Sequence, residues 1–219
     1  MTQILFNKLI ESNIKGSLGK TTFTLNDKQT IINDSSVIGN LIQEWLKKFM
    51  DDKGIYYKEN PNSQEPPDFY MHEHSDKIQL LEVKCFKKSP NFDIANLSSY
   101  ARGLLINPHR LNSDYLIIQY EQHNEYIEII DLWLKKVWEI TGPSERYPLK
   151  LQVKKGVIYN IRPSVWYSTQ STYKPFENYH QLLDALQGVI NTTSNLHDLS
   201  KNWSKTVSNA YEEFLKETY

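Results

Sequence analysis

Three residues have the types and spacing for metal-assisted hydrolysis: Asp68 directly after Pro67, then Glu82, then Lys84 two positions further on. Two carboxylates held close together repel one another unless a cation lies between them, and an all-oxygen ligand set suits Mg²⁺. An ammonium beside them can orient or help deprotonate an attacking water and stabilise charge in the transition state. A hard divalent ion with such neighbours is the usual equipment for hydrolysing a phosphodiester.

These side chains must converge, and the local pattern says how. Residues 77–86, KIQLLEVKCF, read as a mostly buried strand, in which alternation puts Glu82 and Lys84 on one face and Val83 and Cys85 on the other. With residues 74–76 as the turn of an antiparallel hairpin, paired positions sum to 150 and Asp68 lies opposite Glu82. Cross-strand neighbours have Cβ atoms roughly 4.5–5.5 Å apart. Before the hairpin, Val37, Ile38, Leu41, Ile42, Trp45, Leu46 and Phe49 recur at helical spacing after Asp34 and Ser35, either of which can cap, so a helix runs to about Met50. Glu44 falls on the flank of its apolar stripe. Residues 92–105 read as a further helix after the strand.

Pro67-Asp68 followed by Glu82-Val83-Lys84 resembles the PD-(D/E)XK nuclease superfamily, over roughly residues 35–132. The resemblance implies a restriction-endonuclease-like α/β core, a mixed β-sheet flanked by helices, with Asp68, Glu82 and Lys84 catalytic. It implies Asp68 and Glu82 as Mg²⁺ ligands, joined by Glu44 because members often carry one more acidic residue on the preceding helix. Chain length and the basic second half resemble a type II restriction endonuclease. The stretch YNIRPSVWYSTQSTYKPF resembles the small NgoBV/NlaIV restriction family. The expected activity is Mg²⁺-dependent, sequence-specific cleavage of double-stranded DNA by a homodimer, with a cognate DNA methyltransferase in the same genome. Two alternatives stay open: a repair or recombination nuclease of the same superfamily acting on DNA structure, and a noncatalytic DNA-binding module of the same fold.

Composition sets the frame. The 219 residues, 39% of them hydrophobic, suit one globular domain with a real core. The expected division is a catalytic core at about 35–140, a DNA-recognition region at about 146–176 and C-terminal helices at about 176–219. A single cysteine, Cys85, excludes an internal disulfide and fits a reducing cytoplasm. No run of apolar residues is long enough to span a membrane.

The net charge of −1 hides an asymmetry, because residues 146–176 contain six basic side chains and no Asp or Glu. Of this group Lys150, Lys154, Lys155 and Lys174 suit phosphate contacts, and Arg162 and Gln170 offer hydrogen bonds to base edges. Tyr and Trp residues are interleaved with them. LQVKKGVIYNI reads as a hairpin turning at Lys155 and Gly156, and residues 114–120 and 126–132 as another that runs into a helix near 133–140. His72 and His74 share a strand face without a third nitrogen or sulfur ligand, so they read as surface histidines. Cys85 points away from the carboxylates and reads as a packed thiol.

Overall fold

The computed structural model describes residues 1–62, 65–199 and 201–219. In chain order its elements begin with α1 (Thr2–Glu11), β1 (Leu18–Lys20), β2 (Thr22–Leu25), β3 (Lys28–Ile31), α2 (Ser35–Asp52), β4 (Lys58–Glu59), β5 (Phe69–Tyr70) and β6 (Leu80–Lys87). They continue with β7 (Ala95–Asn96), α3 (Leu97–Ile106), β8 (Asp114–His123), β9 (Tyr126–Lys136), β10 (Leu151–Lys154), β11 (Val157–Ile161), α4 (Tyr179–Thr192) and α5 (Trp203–Thr218). The chain forms two compact units, Met1–Ser89 with Asp114–Lys135, and Pro90–Ser113 with Lys136–Tyr219.

The first unit is built on a six-stranded sheet in the order β1-β9-β8-β6-β5-β4. It is mixed: β6 and β8 run parallel, whereas β1 on β9, β4 on β5 and β5 on β6 are antiparallel. Leu5 and Leu9 of α1 and Ile38, Ile42, Leu46 and Met50 of α2 form one apolar core with Phe69, Leu81, Val83, Leu116 and Ile118 of the sheet. The spacing of the α2 residues follows the helical repeat, so one stripe is sealed against the sheet. Asp34 starts α2 by accepting the backbone N–H groups of Ser36 and Val37 at 2.8 and 3.3 Å. The β2–β3 hairpin turns at Asn26 and Asp27, both at positive φ.

In the second unit β10, β11 and β7 make a three-stranded antiparallel sheet. Lys155 and Gly156 turn the β10–β11 hairpin at φ 51° and 81°, as the sequence predicts. Trp203 opens α5 fully buried and donates its indole N–H to the Ala101 carbonyl of α3 at 2.9 Å. Asn96 caps α3 through Ser99 N–H at 3.1 Å and donates to the Tyr159 carbonyl at 3.2 Å. Asn96→Ala removes both bonds and is expected to lower unfolding free energy by ~1 kcal/mol, read from urea denaturation.

Three elements differ from the sequence reading. The helix expected at 133–140 is instead the end of β9 followed by a 3₁₀ turn, Val137–Ile140. Its inward residues are Ile127 and Ile129, then Leu132 and Leu134, so the strand's alternation slips by one position, while Trp133, Leu134, Val137 and Trp138 fall at helical spacing in the sequence. The helix expected from Phe92 begins at Leu97, because Asn96 caps there and Ala95–Asn96 pairs with β11. The strand that carries Glu82 and Lys84 begins at Leu80, not Lys77, since residues 71–79 form a longer connection with Gln79 at φ 53°. Of the proline-punctuated stretch at 58–70, residues 63 and 64 lie outside the described residues. No described helix is long and apolar enough to cross a membrane.

Candidate active site

Phe69 pairs with Leu81 and Tyr70 with Leu80, and the Met71 N–H donates to the Gln79 carbonyl at 3.0 Å. The predicted register is therefore present, and one step beyond the ladder Asp68 lies opposite Glu82. In this register 69/81 and 71/79 are the hydrogen-bonded pairs, and 68/82 falls in the alternate class whose side chains approach more closely. Continuing the ladder would give the Val83 N–H to the Pro67 carbonyl. Instead the Asp68 Oδ2 atom accepts it at 2.7 Å, which fixes the aspartate rotamer.

Lys84 stands on the same face as Glu82, with Nζ 2.8 Å from Glu82 Oε1. Leu81, Val83 and Cys85 turn to the opposite face, into the α1–α2 core. Glu82 is 6% exposed, and its Oε2 is buried with no hydrogen-bond partner. Burial raises the Glu82 pKa most, the Lys84 ammonium opposes that shift, and the neighbouring Asp68 carboxylate adds to it. A buried anionic oxygen without a donor, next to a second carboxylate, suits a cation: the donor set fits a hard divalent ion. Burial pushes the Cys85 thiol up to about 12, which leaves it a packed, unreactive group.

The other predicted metal ligand sits elsewhere. Glu44 is 67% exposed and ion-paired with Lys47 at 2.7 Å, which also reaches Glu59 at 3.1 Å. It projects from a helix that covers the Leu81–Val83 face of the sheet, and Glu82 points from the other face. Among the described residues no three His, Cys, Asp or Glu side chains converge as a metal site. His72 and His74 lie near each other at 6.2 Å between ring centroids, at the surface connection.

The basic residues of the second unit occupy different settings. Lys154 and Lys155 lie exposed at the end of the β10–β11 hairpin, Lys154 with its ammonium 5.0 Å from the Tyr159 ring centre. Gln170 and Lys174 are exposed on the following loop. That loop is tied down where the Phe176 N–H meets the Thr141 carbonyl, and a Cβ on Gly142 would stand 2.5 Å from the Lys174 carbonyl oxygen. Lys150 is partly buried, and burial with the nearby Arg162 charge lowers its pKa. Arg162 is engaged within the protein, with Nε 3.0 Å from Asp93 and a further bond to the Asn91 carbonyl.

The model of the NgoBV restriction endonuclease family matches residues 1–219. The type II restriction enzyme NlaIV of Neisseria lactamica is 37% identical over 216 residues, covering 96% of this chain and 89% of that protein. The type II restriction enzyme NgoBV of Neisseria gonorrhoeae is 35% identical over 156 residues, covering 70% of this chain and 89% of its own length. The solved structure of the NlaIV restriction endonuclease superposes with a TM-score of 0.90 at 36% identity, covering 98% of this chain and 89% of that one. The family resemblance and the mixed α/β class drawn from the sequence are both borne out.

Proposed function

The chain belongs to the NgoBV restriction endonuclease family and is a type II restriction endonuclease, and we propose that it cuts both strands of duplex DNA with Mg²⁺ held by Asp68 and Glu82 and with Lys84 as the catalytic cation. The observation that carries this reading is the buried, unpartnered Glu82 Oε2 beside Asp68 and Lys84. When bound, the ion would supply Lewis acidity and lower the pKa of a water. The protein's own groups do the positioning. The Val83 N–H holds the Asp68 carboxylate, Glu82 holds the Lys84 ammonium at 2.8 Å, and Lys84 orients the attacking water and stabilises charge that grows on the phosphate oxygens. Glu44, with Lys47 on its carboxylate, is left out of this ion set.

Lys154, Lys155, Gln170 and Lys174 are proposed to contact DNA directly, since they are exposed in an acid-free stretch. Lys150, which is partly buried, and Arg162, which is ion-paired with Asp93, are left out of that direct set. One site per chain cuts one strand, so a homodimer on a two-fold-symmetric target is the matching assembly, with a DNA methyltransferase protecting the host's own sites. Incubating the purified protein with plasmid DNA and MgCl₂ is expected to give discrete fragments, and EDTA to abolish them. A smear or intact plasmid would overturn the proposal.

A further inference from the structure

Asn60 follows β4 and is bonded through its backbone N–H and both polar atoms of its side-chain amide. Its backbone N–H donates to the Asp68 carbonyl at 3.1 Å, continuing the β4–β5 pairing of Lys58 with Tyr70 and Glu59 with Phe69 by one residue. Its side-chain Nδ2 donates to the carbonyls of Glu65 and Pro67, each at 2.9 Å. Its Oδ1 accepts the Asn62 N–H at 3.0 Å, an Asx turn that fixes the amide's orientation. Asn60, Asp68 and Glu82 are thus consecutive positions of one row across three strands.

The bond to Pro67 matters because of what Pro67 would otherwise do. In the β5–β6 register its carbonyl is the natural acceptor for the Val83 N–H, which Asp68 Oδ2 now takes at 2.7 Å. One N–H cannot serve both acceptors well. While Nδ2 of Asn60 holds the Pro67 carbonyl, the Val83 N–H is left to the Asp68 carboxylate. We infer that Asn60 is a positioning residue: by holding the Pro67 carbonyl away from Val83 it keeps Asp68 in the rotamer that faces Glu82. This rests on the proposed ion site of Asp68 and Glu82. Groups that orient ligand side chains without touching the ion typically cost ~10- to 100-fold in affinity or activity when removed.

The test measures ion binding separately from cutting. Mn²⁺ binding to the full chain is titrated calorimetrically in wild type, Asn60→Ala, Asn60→Ser and Asp68→Asn, beside thermal melts and DNA binding in EDTA. Asn60→Ala is expected to weaken Mn²⁺ binding by ~10-fold and to raise the Mg²⁺ concentration for half-maximal cleavage in step, with metal-free DNA binding unchanged. Asn60→Ser keeps one donor and is expected to fall between; it carries the test where Asn60→Ala does not fold. In ¹⁵N spectra the Val83 amide resonance should shift in both variants. Unchanged Mn²⁺ affinity, or a loss that only parallels lower melting temperature and weaker DNA binding, would overturn the positioning role, as would failure of both variants to fold. Wild-type protein that binds no Mn²⁺, or an Asp68→Asn variant that binds it normally, would overturn the ion site instead.

Discussion

Replacing Lys84 with alanine is expected to lower duplex cleavage by ~10³-fold while leaving DNA binding in EDTA within about twofold of wild type. The Lys84 side chain is 21% exposed and its ammonium lies 2.8 Å from a carboxylate that is almost fully buried, so the charge sits where solvent screens it little. Alanine removes the group that orients water and stabilises developing charge. It also removes the main influence opposing the upward shift of Glu82. The sign follows directly. Without the ammonium, Glu82 holds its proton to higher pH, so the acidic limb of the residual cleavage profile moves up relative to wild type. Single-turnover cleavage across a pH series, with the DNA-bound fraction fixed by titration, reads both effects. Full activity in Lys84→Ala would sink the assignment. An equal loss of binding and cutting would make Lys84 a phosphate contact instead.

Much of this site is legible in the sequence because the information is short-range. Period-two alternation puts Glu82 and Lys84 on one face, and a single assumption about where the hairpin turns puts Asp68 opposite Glu82; the pairing of Phe69 with Leu81 follows the same register. The turn itself is longer than expected, yet symmetric lengthening about one centre leaves the register unchanged. The position of Glu44 depends on longer-range packing. Helical periodicity puts it on the flank of α2, but the sheet face on which α2 packs is a tertiary fact, and that face carries Leu81 and Val83. Arg162 is similar, since its ion pair with Asp93 spans residues far apart in sequence. Asn60 is hidden for another reason. A two-residue strand such as β4 has no periodicity to detect, so nothing local marks the third position of the row. The end of β9 and the 3₁₀ turn at Val137–Ile140 read as a helix because Trp133, Leu134, Val137 and Trp138 fall at helical spacing.

The Glu82→Gln variant is expected to lose cleavage by ~10³-fold and, in EDTA at pH 8, to melt at a higher temperature than wild type. The activity loss follows from exchanging an anionic ion ligand for a neutral amide. The gain in stability comes from the buried carboxylate. Its folded-state pKa is raised, chiefly by burial, so the unfolded chain gives up this proton more readily than the folded one. Below the ordinary carboxyl range both states are protonated and the group contributes no pH dependence. As pH rises from that range through the elevated folded value, the folded state loses stability relative to the unfolded one, and above it the penalty is constant. A glutamine has no such penalty, and its Oε1 still accepts from Lys84. The melting difference between variant and wild type should therefore be largest at pH 8, shrink as the pH falls toward the carboxyl range, and also shrink when MgCl₂ is added, because ion binding to folded wild type offsets the buried charge. Paired thermal melts with and without MgCl₂ measure this. A variant less stable than wild type at pH 8 in EDTA would mean that the Lys84 pairing outweighs burial, and that Glu82 is a structural ion pair and not a site kept costly for an ion.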